Sequence, residues 1–337
     1  MSDPILIWGA GAIGGSVGAW LKRAGHDIHF VDVVADHVAA IKTAGLRITG
    51  PVDQFTVVAP AFLPSEVRGT YRRIFLAVKA HHTEEAARAL LPHLAADGYV
   101  LSLQNGLCER LIASVVGKER TVGAFVNYST DWIAPGEVMF GSRGAVVLGE
   151  LDGAMTERLA ELHTLMLQFE PNAIMTTEIW GYLWGKLGYG AMLFAQALGM
   201  AGIADCLGRP ELLPLWCKLA GEANAVTLAE GVTPRGFNGY DPEAFMPGTP
   251  IEKSRAAVAA MVEFNRPSAK THSGVWRDLA IRKRRTEVDV QIAPISEIGA
   301  THGIACPTID RLVAMIHEVE AGTRTLSDDN LVELMGS

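Results

Sequence analysis

The sequence has few cysteines and few charged residues, and it has no excess of basic side chains. Cys108, Cys206, Cys217 and Cys306 are far apart and form no CxxC pair, so neither a disulfide framework nor a zinc site is expected. Charged residues make up 20% of the 337 residues, and the formal net charge is -8. This balance disfavours nucleic acid and anionic membranes as partners. We expect a small-molecule partner and a reducing, cytoplasmic location.

The chain also lacks an obvious leader segment. Its opening, MSDPILIWGAG, reaches glycine after four apolar residues, which is too short for the apolar part of a signal peptide. Residues 187–204 carry no charge and would nearly span a bilayer. Their four glycines and Gln196 instead favour a tightly packed helix inside a helical domain. We therefore expect no membrane association.

The sequence patterns predict two domains with different secondary structure. Hydrophobic residues make up 49% of the chain, which is sufficient for a large core, and the length suits two domains. Between residues 5 and 150, short apolar runs alternate with helix-period segments, as in βα units with a mostly parallel sheet. After Thr177 long helical patterns dominate. We predict a Rossmann NAD(P)-binding domain over residues 1–177 and a helical substrate and dimerisation domain over residues 178–337.

Two segments do not fit this simple alternation. Residues 136–150, GEVMFGSRGAVVLGE, resemble a two-stranded hairpin with Gly141 and Gly144 near its turn. Residues 233–250 form a long irregular stretch rich in proline and glycine. A lid over a site or an arm in a dimer are the two roles that we consider for it.

A glycine-rich turn follows the first apolar run directly. Gly9, Gly11 and Gly14, with Ala12 and Ile13 between them, lie between ILIW and a helical pattern. In a Rossmann fold, the first glycine permits a tight turn, the second lets the backbone approach a pyrophosphate, and the third lets helix and strand pack closely. The pyrophosphate then lies at the helix N-terminus, where unpaired N–H groups and the helix dipole favour anions. The alternative is a glycine turn without a ligand.

Asp32 closes the second apolar run, IHFVD, at the distance expected of the acidic partner of such a loop. Its carboxylate can accept hydrogen bonds from both hydroxyls of the adenosine ribose and repels a 2′-phosphate. The following VVADHV contains no Arg or Lys to bind that phosphate. The pattern therefore predicts an NAD(H) site, with NADP(H) as the second choice, although Asp32 could instead cap the next helix.

Four further motifs occur in order along the chain, and together with the glycine loop they span nearly its whole length. Lys79 ends FLAVK, Asn105 lies in LQNG, WGKLGYGAM opens the long helix, and RRTEVD comes late in the chain. The sequence thereby resembles the ketopantoate reductase family (2-dehydropantoate 2-reductase, ApbA/PanE-like). The resemblance implies an NAD(P)-linked reductase with a Rossmann domain and an all-helical C-terminal domain like that of 6-phosphogluconate dehydrogenase.

The resemblance also implies roles for five side chains. Lys79 and Asn105 would lie near the nicotinamide and the substrate, Lys186 of WGKL would be the catalytic lysine, and Glu287 of TEVD would be the active-site glutamate. Ser273 in THSGVWRDL corresponds only loosely to the family's substrate-binding serine, because its spacing to Glu287 is longer. No metal is implied, and His81, His82 and His272 have no third ligand at a fixed spacing.

Two departures from the family pattern concern recognition. The family's substrate-binding asparagines follow the catalytic lysine by four and eight positions, where this chain has Gly190 and Phe194. The usual cofactor is NADPH, held by a basic residue near the end of the second strand, where this chain has Asp32. Both departures leave the chemical residues in place, so the family is a firmer prediction than ketopantoate as the substrate.

The chemistry of ketone reduction assigns roles to these residues. A hydride arrives from the nicotinamide, and Lys186 would supply the proton for the developing alkoxide or accept it in the oxidative direction. Glu287 would bind a substrate hydroxyl or orient Lys186. The alternatives are a lysine whose head reaches solvent and a solvated glutamate in a first helical turn.

Three functions remain open at this stage. The favoured one is an NAD-linked oxidoreductase, in a homodimer, that acts on a small 2-oxo or 2-hydroxy acid. The alternatives are an NADPH-dependent 2-dehydropantoate 2-reductase proper and a non-catalytic protein that senses dinucleotides. A sensor would need none of Asn105, Lys186 and Glu287.

Overall fold

The computed structural model describes residues 3–268 and 271–336. The chain divides into two compact units, residues 1–179 and residues 180–337. The first unit is built around a sheet, whereas the second consists of helices and their connections.

Unit 1 contains ten strands and five α-helices among its described residues. The strands are β1 (Ile5–Trp8), β2 (Ile28–Val31), β3 (Leu46–Thr49), β4 (Phe55–Val57), β5 (Ala61–Phe62), β6 (Tyr71–Leu76), β7 (Leu94–Ser102), β8 (Thr121–Ala134), β9 (Glu137–Glu150) and β10 (Ile174–Met175). The helices are α1 (Ala12–Arg23), α2 (Ala35–Ala44), α3 (Thr83–Leu90), α4 (Cys108–Val116) and α5 (Glu157–Met166).

The sheet has a doubly wound parallel centre. Its order is β4-β3-β9-β8-β7-β6-β1-β2-β5, with β10 beside β9. All neighbours from β5 to β8 are parallel. Sequence order reverses between β1 and β6, which is the switch point beside which ligands bind in such sheets. The predicted Rossmann-type α/β domain followed by an all-helical domain is confirmed.

The predicted hairpin within residues 136–150 is wrong. Those residues form the single strand β9, which pairs antiparallel with β8 after a turn at Gly136, where φ is 75°. Gly144 lies where the β8–β9 register shifts, and a Cβ there would overlap the carbonyl oxygen of Asn127. A Cβ on Gly141 would come within 2.7 Å of Ser129 Oγ. These glycines let β9 lie close to β8 where the pairing of the two strands is irregular, and they do not form a turn.

Unit 2 is helical, in agreement with the sequence. Its helices are α6 (Ile179–Gln196), which starts at the boundary, α7 (Ile203–Leu207), α8 (Leu213–Ala229), α9 (Ile251–Asn265), α10 (Gly274–Ala280), α11 (Val288–Gln291), α12 (Ala293–Thr301), α13 (Pro307–Glu320) and α14 (Asp329–Met335). Within the described residues, none of these or the other helices is long and apolar enough to cross a membrane.

The glycines of α6 allow the irregular segment 233–250 to pack against the helix. A Cβ on Gly185 would overlap the carbonyl oxygen of Arg235, and one on Gly188 would overlap the hydroxyl of Tyr240. The N–H of Arg235 donates to the Gly181 carbonyl at 2.8 Å. The aromatic residues of the segment, including the 2%-exposed Tyr240, are buried. The uncharged, glycine-rich character of α6 therefore reflects close packing within unit 2.

Candidate active site

The first glycine of the loop meets a local steric requirement. β1 ends at Trp8 and α1 begins at Ala12, so the chain reverses within three residues. Gly9 has a φ of 101°, and a Cβ there would come within 2.8 Å of the backbone that follows β6 at Ala77 and Val78. Only glycine adopts this conformation without strain and with so little space.

Gly14 and Gly11 differ in what surrounds them. A Cβ on Gly14 would overlap the Gly9 carbonyl and approach the Ile7 side chain to 2.9 Å, so Gly14 is needed for close helix–strand packing. A Cβ on Gly11 would meet no described heavy atom within 4 Å, and its φ of -68° suits any residue. The fold therefore supplies no steric reason for glycine at position 11. An open, side-chain-free surface at this point fits the close approach of a diphosphate.

The N-terminus of α1 faces this surface with backbone donors. The first intrahelical bond runs from the N–H of Gly15 to the carbonyl of Gly11, and Gly11 offers no side-chain cap. Helix geometry leaves the N–H groups of residues 11–14 without intrahelical acceptors. Such N–H groups, together with the helix dipole, favour an anion at a helix N-terminus.

Asp32 lies at the end of β2 beside the loop. Its Oδ2 accepts a hydrogen bond from the N–H of Ala10, and its Oδ1 accepts one from the N–H of Val34, both at 3.0 Å. Asp32 is not the cap of α2, because Val34 is the N-cap residue and α2 has no side-chain cap; its carboxylate instead holds the N–H groups of Ala10 in the glycine loop and of Val34. A carboxylate has about four lone-pair positions, so each oxygen can accept a further hydrogen bond.

A group of side chains behind the loop was not found from the sequence. The buried His37 donates from Nε2 to the Ala10 carbonyl at 2.8 Å. The Ser16 hydroxyl donates to the Ala12 carbonyl at 2.7 Å, and the Tyr128 hydroxyl donates to the Ile13 carbonyl at 3.4 Å. Desolvation in these surroundings raises the pKa of Tyr128, which therefore remains a hydrogen-bond donor. No sequence motif marks these residues, because they come from α1, α2 and β8.

Lys79 and Asn105 follow adjacent parallel strands and lie at the same edge of the sheet as the loop. Lys79 comes after β6 and Asn105 comes after β7, and both are half-buried. Between them, the amide nitrogen of Gln104 donates to the Val78 carbonyl at 3.0 Å and to Thr83 Oγ1 at 2.8 Å. Gln104 is 4% exposed, so this bridge between the two turns is buried.

Lys186 and Glu287 are carried by two facing elements of unit 2. Lys186 is half-buried on α6, one turn before Gly190. Glu287 is the N-cap residue of α11, whose helical bonding continues to Ile292. A Cβ on Gly190 would contact Ile292 Cδ1 at 3.7 Å, an ordinary van der Waals distance. Position 190 on α6 therefore lies next to Ile292 at the end of α11.

Ser273 has a capping role within unit 2. It is 5% exposed and is the N-cap residue of α10, where its Oγ accepts a hydrogen bond from the N–H of Trp276 at 3.1 Å. Its hydroxyl proton is not used in that bond. The loose match of this serine to the family's substrate-binding serine therefore remains a prediction.

The predicted residues thus form two groups. Gly9, Gly11, Gly14, Asp32, Lys79 and Asn105 share the carboxyl edge of the parallel strands in unit 1. Lys186, Ser273 and Glu287 belong to unit 2. A glycine loop at the switch point of a parallel sheet, with a helical unit after it, defines the class of two-unit Rossmann-type oxidoreductases.

Comparison with known families gives a more specific assignment. The family model described as ketopantoate reductase PanE/ApbA matches residues 5–153, and the one described as ketopantoate reductase PanE/ApbA C terminal matches residues 178–320. The chain belongs to the ketopantoate reductase family. The predicted family and the predicted class, an NAD(P)-dependent oxidoreductase, are both confirmed.

Individual relatives resemble the chain over almost its full length. A 2-dehydropantoate 2-reductase of Archaeoglobus fulgidus is 28% identical, over 94% of this chain and 98% of the relative. The structure of a PanE/ApbA family ketopantoate reductase from Ralstonia eutropha JMP134 is 26% identical, with a TM-score of 0.79 over 95% of this chain and 99% of that chain. A ternary structure of D-mandelate dehydrogenase with NADH and anilino(oxo)acetate is 24% identical and has a TM-score of 0.81 over the same shares, a similarity of fold.

Proposed function

We propose that this chain is an NAD-linked oxidoreductase that transfers a hydride between the nicotinamide and a small 2-oxo or 2-hydroxy acid. The observation that carries the proposal is the open surface at Gly11, beside the donors of α1 and the carboxylate of Asp32. A side chain at Gly11 would clash with no described atom, and glycine is also a common helix N-cap; we propose that the bare position serves the approach of a diphosphate. A diphosphate linked to an adenosine ribose accounts for the glycine, the donors and the acid together.

NAD(H) is the favoured cofactor, with NADP(H) second. The N–H groups of Ala10 and Val34 hold the Asp32 carboxylate at the place expected for the ribose. A 2′-phosphate there would meet a like charge. The next two residues, Val33 and Val34, are exposed and apolar, and they offer no positive charge to offset that repulsion.

The remaining residues would bind and activate the substrate. The bound nicotinamide supplies or accepts the hydride. Lys186 donates the proton to the developing alkoxide, or removes it from the hydroxyl in the reverse direction. Lys79 and Asn105 contact the nicotinamide and the substrate, while Glu287 and Ser273 hydrogen-bond the substrate. These roles follow from the positions that the residues share with the family motifs.

Gly190 and Phe194 favour a substrate whose side group is apolar. Gly190 has no side chain and lies next to Ile292, which is fully buried, and Phe194 is 2% exposed. Gly190, Ile292 and Phe194 have no side-chain group that could hydrogen-bond a substrate hydroxyl. A D-mandelate dehydrogenase, which shares the fold, is an example of an enzyme named for an acid with an aromatic side group. An acid with a branched or aromatic substituent would fill the space that Gly190 leaves.

A second candidate is an NADPH-dependent 2-dehydropantoate 2-reductase. The name of the Archaeoglobus fulgidus relative favours it. Asp32 disfavours its cofactor, and Gly190 and Phe194 disfavour its hydroxylated substrate.

The test is a spectrophotometric assay of NADH and NADPH consumption with a panel of 2-oxo acids, and of the reverse reaction with 2-hydroxy acids. The panel contains 2-dehydropantoate and acids with apolar branched or aromatic groups. We expect the fastest turnover with NADH and an apolar acid. Faster turnover of 2-dehydropantoate with NADPH would support the second candidate instead.

Two variants separate binding from chemistry in the same assay. Gly11→Ala should remain folded, because its Cβ meets no described atom, yet it should lose most of its dinucleotide affinity. Lys186→Met should retain that affinity and lose at least about a hundredfold in kcat. Full affinity in the alanine variant would contradict the cofactor site, and near-normal turnover in the methionine variant would contradict the role of Lys186.

A homodimer in the cytoplasm completes the proposal. The composition of the chain supports the location, and light scattering of the purified protein tests the assembly directly. A monomer at all concentrations would contradict the dimer.

A further inference from the structure

His37 connects three parts of unit 1 behind the glycine loop. It is 1% exposed, lies on α2, and donates from Nε2 to the Ala10 carbonyl at 2.8 Å. Its Nδ1 accepts from the N–H of Gly136 at 2.9 Å, in the turn between β8 and β9. A backbone N–H can only donate, so Nδ1 carries no proton and the proton resides on Nε2. The hydrogen-bond network therefore fixes one neutral tautomer.

The hydrogen bond from His37 to the Ala10 carbonyl affects the Gly11 N–H, which lies on the other side of the Ala10–Gly11 peptide. The carbonyl of Ala10 and the N–H of Gly11 belong to one planar group, so a donor on the carbonyl fixes the direction of that N–H. It also polarises the peptide and makes the N–H a stronger donor, because hydrogen bonds in a chain reinforce one another. His37 thus acts through the peptide at the open position of the loop.

The next peptides of the loop have the same arrangement. The Ser16 hydroxyl donates to the Ala12 carbonyl at 2.7 Å, and that peptide carries the N–H of Ile13. The Tyr128 hydroxyl donates to the Ile13 carbonyl at 3.4 Å, and that peptide carries the N–H of Gly14. Three side chains from different elements therefore support the peptides whose N–H groups begin α1.

We propose that His37 is a positioning residue for the diphosphate of the dinucleotide, acting through the Ala10–Gly11 peptide. The inference rests on the proposed function, because it assumes that a diphosphate binds at the glycine loop. An anion gains most from donors that are already oriented, since no free energy is then spent on turning them during binding. His37 itself does not contact the ligand.

Two substitutions at His37 separate the bond that Nε2 donates from the bonds that Nδ1 accepts, which come from the N–H of Gly136 and, at 3.3 Å, from Trp132 Nε1. The side-chain amide of asparagine is too short to replace Nε2 but can replace Nδ1, so His37→Asn keeps an acceptor for Gly136 and loses the donor to Ala10. Glutamine extends one bond further, and His37→Gln can restore the donor. His163→Asn is the matched control, because His163 also donates to a backbone carbonyl, that of Ala173 at 2.8 Å, on another helix.

The measurement is calorimetric titration of each folded variant with NADH, ADP-ribose and adenosine. We expect His37→Asn to bind the two diphosphate ligands about tenfold more weakly and adenosine equally well. His37→Gln should recover most of the loss, and His163→Asn should match the wild type. If His37→Asn does not fold, Ser16→Ala provides the same test at the Ala12–Ile13 peptide.

The outcomes distinguish this inference from the function on which it rests. A wild-type protein that binds neither NADH nor ADP-ribose would overturn the proposed function and this inference with it. Wild-type binding with unchanged affinity in His37→Asn would overturn the positioning role alone. An equal loss for adenosine would also overturn it, because His37 would then support the whole unit and not the diphosphate.

Discussion

At the scale of single residues, the three loop glycines meet three different requirements. Gly9 needs a positive φ, Gly14 needs the absence of a Cβ against β1, and Gly11 needs neither. A motif treats the three as equivalent. Among the three, Gly11 is the one that no contact with described atoms requires to be glycine, and so it provides the most specific test of the proposed binding.

Asp32 gives a prediction about cofactor choice. In Asp32→Asn we expect the ratio of NADPH affinity to NADH affinity to rise by about tenfold, because the charge that repels a 2′-phosphate is removed. The asparagine side chain has a single acceptor oxygen. It can therefore accept from the N–H of Ala10 or of Val34, and the other hydrogen bond is lost. Fluorescence titration with both dinucleotides measures the ratio, and thermal unfolding monitors stability.

Asp36→Asn is the control for that experiment. Asp36 is an exposed acid in the first turn of α2, four residues beyond Asp32. An unchanged ratio in Asp32→Asn, or an equal rise in Asp36→Asn, would contradict a specific role for Asp32.

Residues that belong to a local motif could be located from the sequence, whereas the residues that hydrogen-bond to that motif from other elements could not. Asp32 was found because a strand and a glycine loop fix its position along the chain. His37 was missed because its partners, Ala10 and Gly136, come from different parts of the sequence. Only the folded unit brings them together.

At the scale of elements, α6 shows how glycine content reflects packing. Its Gly181, Gly185 and Gly188 approach segment 233–240, whereas among the described residues a Cβ on Gly190 would come within 4 Å of Ile292 alone. A glycine-rich apolar helix has similar sequence statistics in a membrane and in a protein core. Here the close backbone contacts account for the pattern.

This difference predicts opposite effects of two alanine substitutions on α6. Gly185→Ala should lower the free energy of unfolding by about 1–3 kcal/mol, because its Cβ overlaps the rigid Arg235 carbonyl. Gly190→Ala should leave it unchanged or raise it by up to about 1 kcal/mol, since alanine favours helix and the space is open. Urea denaturation of both variants measures the two values. Equal effects would contradict the packing described for α6.

The strands show where elements were and were not predictable. β1 and β2 were located from their short apolar runs, since buried parallel strands have this pattern. β9 was divided incorrectly because Gly141 and Gly144 imitate a turn. Their true cause, the irregular ladder with β8, depends on which strand lies alongside.

At the scale of the whole molecule, acid stability provides a further prediction. Hydrogen bonds from Arg324 and Arg311 lower the pKa of Glu333 to about 2, from an ordinary 4.5. Glu333 lies on α14 and joins this C-terminal helix to α13 and to the turn after it. A lowered carboxyl pKa means that the stabilisation is complete above about pH 4.5 and is lost as the pH falls towards about 2.

Glu333→Gln should therefore unfold at a lower temperature than the wild type at pH 7, and the difference should shrink as the pH falls below 4.5. Calorimetric Tm values across the pH range measure this convergence. Glu263→Gln, a change at an exposed glutamate of α9, should differ little from the wild type at any pH. A constant difference between Glu333→Gln and the wild type would contradict the role of this ion network.

The sequence by itself determined the features that local order encodes. Alternating apolar runs specified the α/β domain, long helical periods specified the second domain, and the loop spacing together with Asp32 specified where a dinucleotide would bind. Each depends on residues close together in the chain or on a motif of fixed length.

The tertiary structure decided the features that depend on distant neighbours. These are the pairing of β8 with β9, the packing of segment 233–240 on α6, and the donors that His37, Ser16 and Tyr128 place behind the loop. The physical reason is that a hydrogen bond or steric contact depends on distance in space. Residues that are far apart in the sequence acquire that distance only when the sheet and the helices have assembled.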